Sequence, residues 1–240
     1  MTAQDVQIAL QEYASDLDAV FLQRFFKTAE GQYGFGDVFI GVRVPQTRIV
    51  CKQFQDLPLP EIQKLLDSVV HEHRLAGLII LTIQYAKVDD PNQQDIYDLY
   101  LKNVYKGRIN NWDLVDLSAY KIMGVHLINR PRDILFDLAK SDKLWERRVA
   151  IVTTFAFIKR GDPSTTLDIA ESLLHDSEDL IQKATGWMLR EVGKRCDEEL
   201  LTDFLDKHAH DMPRTALRYS IERLSPDKKR HYMRLKPTAK

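Results

Sequence analysis

The chain has 240 residues, enough for one extended domain or two small ones, and its 44% hydrophobic and 29% charged content excludes a disordered polymer. No run approaches the roughly 18 apolar residues of a membrane-crossing helix, and acidic residues in MTAQDVQIALQEYASDLDAV stand where a signal peptide would be basic, which argues against secretion. The net charge of −1 is unevenly spread: residues 1–100 hold 8 Lys/Arg against 14 Asp/Glu, and residues 101–240 hold 26 against 21, which suits a polyanion partner for the C-terminal part.

The N-terminal 3–28 reads as a helix. GQYGFG follows, and VFIGVRVP (38–45), closed by Pro45, reads as an extended loop. Turn and cap signals then fall at LPLPE (57–61), DDPNQQD (89–95), NRPRD (129–133), GDPSTT (161–166) and KRCDEE (194–199), about 32 to 40 residues apart. Each interval holds two helical patterns: 58–70/72–87, 93–105/111–125, 131–140/143–159, 163–174/178–193 and 197–209/213–223. Two-helix units recurring at that period indicate an all-α, HEAT- or armadillo-like superhelix whose units stack in a single domain over 1–240. The basic tail from about 226 is expected to fray into solvent.

Cys51 and Cys196 are too few and too far apart for a disulfide framework or a zinc site, so a reducing cytoplasm is the expected location. His71-Glu72-His73 and His208-Ala209-His210 have an HxH spacing, whereas metal ligands on a helix sit at i, i+3 or i, i+4, so no metal is expected. GQYGFG lacks the Lys-Ser/Thr of a phosphate loop. No nucleophile elbow or kinase set occurs, and no cofactor is implied.

Three helices carry the candidate chemistry. In NNWDLVD (110–116), Asn110 or Asn111 is a natural N-cap, and Asp113 falls in the first turn, where a carboxylate favours the helix dipole. Trp112 and Asp116 are i, i+4 neighbours and touch the same space. Asp116, flanked by Leu114, Val115 and Leu117, either forms a buried ion pair with Arg147 or Arg148, or has a chemical task. In LWERRVAIVTTFAFIK (144–159), Arg148 occupies one turn of an apolar stripe and needs a partner or an opening; Arg147, on the adjacent angle, is a phosphate-binding candidate or a surface arginine. In DLIQKATGWMLREVGK (179–194), Ile181, Ala184, Met188 and Val192 form the core stripe, while Lys183, Trp187, Arg190 and Lys194 form a second. A basic face with an indole in it suits a phosphate backbone; the other reading is a boundary Trp beneath snorkelling cations.

GDVFIGVRVP, NNWDLVDLSA, LWERRVAIV, KATGWMLREVGKR and MPRTALRYSIERL, in that order and spanning most of the chain, together resemble the AlkD-type bacterial DNA alkylation repair glycosylases. The resemblance implies a right-handed α-α superhelix of HEAT-like pairs. It also implies hydrolysis of the N-glycosidic bond of positively charged alkylpurines, such as 3-alkyladenine and 7-alkylguanine, in double-stranded DNA. Trp112, Asp116, Arg148 and Trp187 match the family residues that line a concave cleft, with Arg147 adjacent to the arginine position. The family is thought to act on the sugar of a stacked lesion without flipping it. An asymmetric cleft around a duplex favours a monomer. Two other readings compete: a HEAT protein that binds damaged or branched DNA without cutting, and a peptide-binding scaffold.

Overall fold

The computed structural model describes residues 1–235. It is all-helical, with one isolated bridge between Val38 and Val70 among the described residues. None of the described helices is long and apolar enough to cross a membrane. The helices fall into two compact units, 1–123 and 124–240, each an assembly of stacked helix pairs.

In the first unit the expected helix over 3–28 is two helices, α1 (Ala3–Gln11) and α2 (Asp16–Phe25). Ser15 caps α2 by accepting from the Asp18 amide, and its own amide donates to the Ile40 carbonyl at 3.0 Å. Gly41 makes that contact possible: with φ +84° and an ideal Cβ position only 2.0 Å from the Ser15 carbonyl oxygen, no side chain fits there. The loop expected over 38–45 is extended over 37–43, but its last two residues, Val44 and Pro45, begin α3 (Val44–Gln53), a helix that the turn signals did not mark. The pairs α4 (Leu59–Leu66) with α5 (His71–Tyr85), and α6 (Asp90–Tyr105) with α7 (Trp112–Ser118), follow the predicted periods. The pattern over 111–125 does not continue as one α-helix: a π-helix occupies Tyr120–Gly124. Ser118 bonds back to the Leu114 carbonyl at 2.5 Å, a side-chain contact that competes with the regular ladder where α7 ends.

The second unit contains α8 (Asp133–Ala139), α9 (Leu144–Thr153), α10 (Phe155–Ile158), α11 (Ser164–Ser172), α12 (Asp179–Arg195), α13 (Glu198–His208), α14 (Arg214–Ser220) and α15 (Pro226–Arg234). The break between α9 and α10 coincides with Thr154, whose hydroxyl bonds the Ile151 carbonyl. α12 is the central element, packed on α9, α13 and α14, and its stripe Ile181, Ala184, Met188 and Val192 is fully buried, as the periodicity predicts. Gly186 sets the α12–α14 approach, since a Cβ there would lie 2.4 Å from the Ala216 carbonyl oxygen. Gly186→Ala is therefore expected to destabilise the protein by about 1–3 kcal/mol through overpacking. Chemical denaturation checks this, and an unchanged midpoint would mean the two helices have room to part.

The expectation of a frayed tail from about 226 is corrected for residues 226–234. Ser225 caps α15 with Pro226 at its first turn, Tyr232 is buried and donates to Asp206 at 2.8 Å, and Arg214 holds the Leu235 carbonyl at 2.7 Å. The rest of the predicted tail, 236–240, lies outside the described residues.

Candidate functional site

The first unit places Trp112 at the start of α7 and Asp116 one turn further on, both half-buried. Asn111 is the N-cap, buried, with its side-chain oxygen accepting from the Trp112 amide at 2.9 Å. Trp112 is held in an aromatic cluster. Its indole lies parallel to Phe26, 5.2 Å between ring centres and 17° between planes, and edge-on to Phe25 at 6.0 Å. Phe26 is parallel to Phe39 at 5.1 Å, and the ring of His71 lies 4.5 Å from Phe39 and 5.0 Å from Phe26. Beside these rings opens an apolar cavity of about 520 Å³ lined by Phe21, Phe25, Val42, Arg43 and Trp112 among others.

A buried charge network joins this cluster from the other side. His71, only 1% exposed, has Nδ1 3.0 Å from Asp37 and Nε2 2.9 Å from Asp113. A neutral imidazole carries one N–H, so satisfying two carboxylates requires the imidazolium. Burial alone would favour the neutral ring, but Asp113, then Asp37, outweigh it and raise the His71 pKa to about 9. Burial likewise opposes the Asp37 carboxylate, yet the hydrogen bond from His71 and the charge of Arg74 hold its pKa below the ordinary value. Arg74 donates to Asp37 at 2.6 Å, and Asn110 donates to it at 3.2 Å. The adjacent Glu72, also buried, accepts from the backbone amides of Ile40, Gly41 and Val42 and so fastens the extended loop.

Asp113 thus does more than complement the helix dipole. It ties α7 to α5 through His71. The two histidines of the HxH motif serve different partners: His71 faces the two aspartates, and His73 lies 2.9 Å from Ser68, its pKa lowered to about 4 by burial and Arg74. Asp116 sits near Tyr100, whose hydroxyl is 3.1 Å from Ser118. Burial pushes the Tyr100 phenol above its ordinary range, Ser118 opposes this, and the negative charge of Asp116 adds to it.

The second unit holds the remaining candidates. Arg147 forms an ion pair with Asp176 at 2.7 Å and donates to the Ser141 carbonyl. Arg148 is 5% exposed and donates to the Leu180 carbonyl at the start of α12. Trp187 is half-buried with its ring 6.0 Å from Phe155. Of the basic stripe on α12, Lys183 pairs with Asp179 at 2.6 Å, Arg190 pairs with Glu222 and lies 3.7 Å from Glu191, and Lys194 is exposed. Two of these carboxylates, Asp179 and Glu191, lie on α12 itself, and Glu222 is brought in by the fold.

A family model described as "DNA alkylation repair enzyme" matches residues 6–224. The chain belongs to the DNA alkylation repair enzyme family. All three helices that carry the candidates, α7, α9 and α12, lie inside the matched residues, and α15 lies beyond them. The fold of this family member is similar to a solved structure described as a predicted DNA alkylation repair enzyme from Enterococcus faecalis. The TM-score is 0.68 with 16% identity, covering 89% of this chain and 97% of the other. No curated protein matches the chain. The α-solenoid fold expected from the helix-pair period is the fold of the family. Sequence reasoning weighs His71 in this repair-family chain only as a metal ligand and passes over Asp37 and Arg74. The available signal was the run His71-Glu72-His73-Arg74, four polar residues opening a helix that is otherwise apolar.

Proposed function

We propose that this repair-family chain is a DNA glycosylase. It hydrolyses the N-glycosidic bond of positively charged alkylpurines, 3-alkyladenine and 7-alkylguanine, in duplex DNA and so begins base excision repair. The observation that carries the reading is Trp112 and Asp116 together on α7, with the indole plane fixed by Phe26 and Phe25 and the carboxylate half-buried between Val115 and Leu117.

The chemistry follows from the leaving group. An alkylpurine that already carries a positive charge departs without being protonated, so the second carboxylate used by most glycosidases is unnecessary. What remains is to stabilise the oxocarbenium-like sugar and to orient the attacking water. A partly desolvated carboxylate is worth more in that task than one in bulk water. The indole face adds about 0.5 to 2 kcal/mol of attraction for cationic character. A lesion attacked at its sugar can remain stacked, so no deep base-binding pocket is needed.

In the second unit Trp187 packs on the sugar–phosphate backbone and Lys183, Arg190 and Lys194 meet phosphates, while Arg148, 5% exposed and donating to the Leu180 carbonyl, holds the start of α12. Arg147, with its guanidinium taken up by Asp176 and Ser141, braces α9 instead. Among the lysines and arginines of α12, the carboxylates that neutralise Arg190 lessen its contribution. Lys194→Ala is expected to flatten the logarithmic salt dependence of duplex binding by about one unit, and Lys183→Ala, whose ammonium is paired with Asp179, by less. Arg190→Ala should likewise flatten it by less. Fluorescence anisotropy at several salt concentrations measures the slopes, and three unchanged slopes would remove this stripe from the DNA interface.

The decisive experiment is base release from 3-methyladenine and 7-methylguanine DNA by the full chain. Release of either base supports the glycosylase; binding to alkylated duplex with no release would instead make the chain a non-catalytic reader of damaged DNA.

A further inference from the structure

Resting on the glycosylase reading, we infer that His71 is a positioning residue for Trp112: its ring, clasped between Asp37 and Asp113 and packed against Phe39 and Phe26, fixes the plane of the indole and the start of α7.

Two of the restraints on Trp112 run through His71. The first passes through rings: Trp112 is parallel to Phe26, and Phe26 and Phe39 both contact the imidazolium, at 5.0 and 4.5 Å between ring centres. A cation against aromatic faces is attracted by their quadrupoles, and more so when both are desolvated. The second passes through the backbone: Asp113, next in sequence to Trp112, accepts from His71 Nε2 at 2.9 Å and also caps the Leu114 amide. On the far side Asp37 holds Nδ1, and Arg74 and Asn110 hold Asp37.

The charged groups around His71 come from three elements. Asp37 comes from the extended loop, Asp113 from α7 and Arg74 from α5 itself, while Glu72, also on α5, is engaged by the loop amides. The two carboxylates outweigh burial and the opposing Arg74 guanidinium and keep the ring charged at neutral pH. Removing the proton takes away one of its two N–H donors, so one of Asp37 and Asp113 loses its bond, and the ring cluster loses its cation. Nothing in this role needs His71 to touch DNA, and at 1% exposure it does not reach solvent.

The test reads Trp112 directly. In the full chain labelled with 5-fluorotryptophan, the Trp112 resonance is assigned by its loss in Trp112→Phe. It is expected to titrate in the wild type with a midpoint near pH 9, and in His71→Gln to be displaced, broadened and insensitive to pH. Should His71→Gln not fold, Asp113→Asn serves: the wild-type titration should move down by about one unit or more. In an activity arm at neutral pH, His71→Gln should slow single-turnover base release about tenfold, with duplex affinity held, because a slightly misplaced catalytic face costs rate rather than binding. A Trp112 resonance that does not titrate in the wild type and does not change in either variant overturns the inference. If the wild type releases no alkylated base, the glycosylase reading falls and the fluorine resonance alone decides the role of His71.

Discussion

Asp116→Asn is expected to lower the single-turnover rate of 7-methylguanine release by about 10²- to 10³-fold, or roughly 3–4 kcal/mol of transition-state stabilisation, the usual loss for one preorganised electrostatic group. Asparagine keeps the size of the side chain and removes the charge, so the loss reports on electrostatics rather than packing. Asp116 is half-buried on α7, where its field already acts on the buried phenol of Tyr100. A charge that raises the phenol is also positioned in a low-dielectric surrounding, where it favours an oxocarbenium ion more than it would in water. The change should leave duplex affinity unchanged or slightly improved, because it removes a negative charge from a protein that binds a polyanion. Neutral bases such as uracil and hypoxanthine should be poor substrates for the wild type, since no acid is proposed to protonate them. Equal release of 7-methylguanine by Asp116→Asn and wild type would take Asp116 out of the mechanism.

Asp37→Ala is expected to cost about 3–5 kcal/mol of stability, because it strips a buried carboxylate from two cations at once. Arg74 and His71, 3% and 1% exposed, would each lose their partner at 2.6 and 3.0 Å. The exposed pair Arg43–Asp18, also at 2.6 Å, provides the comparison: Asp18→Ala should cost under about 1 kcal/mol, since screening and side-chain entropy erode surface pairs. The difference between the two variants combines burial with the number of partners, two cations and Asn110 for Asp37 against one cation for Asp18. In thermal unfolding, Asp37→Ala should lower Tm by on the order of 10 °C for a chain of this size. Shifts of equal size in the two variants would mean that the network contributes no more than a surface pair.

The same network sets a pH window. The His71 pKa, raised to about 9 from an ordinary 6.5, makes its contribution complete below 6.5, and stability is lost as pH rises through 9. Asp37, held below its ordinary 3.8, contributes fully above that value, and its share is lost on acidification. The alkaline loss should disappear in His71→Gln.

The sequence by itself determined most of the helices and their pairing, α3 excepted, because periodicity and capping are settled within a turn or two of chain. The stripe of Ile181, Ala184, Met188 and Val192, the cap at Asn111 and the i, i+4 placement of Trp112 and Asp116 all depend on near neighbours. Only the tertiary structure decided where helices break and which charges meet. Ser15 splits the first helical pattern by bonding Ile40, and Arg147 finds Asp176 from 29 residues away. Asp113, which looks like a simple dipole partner from its own helix, meets His71 across 42 residues, and Asp37 meets it across 34. Attraction between ions depends on distance in space and on the exclusion of water, and neither quantity is encoded in local spacing.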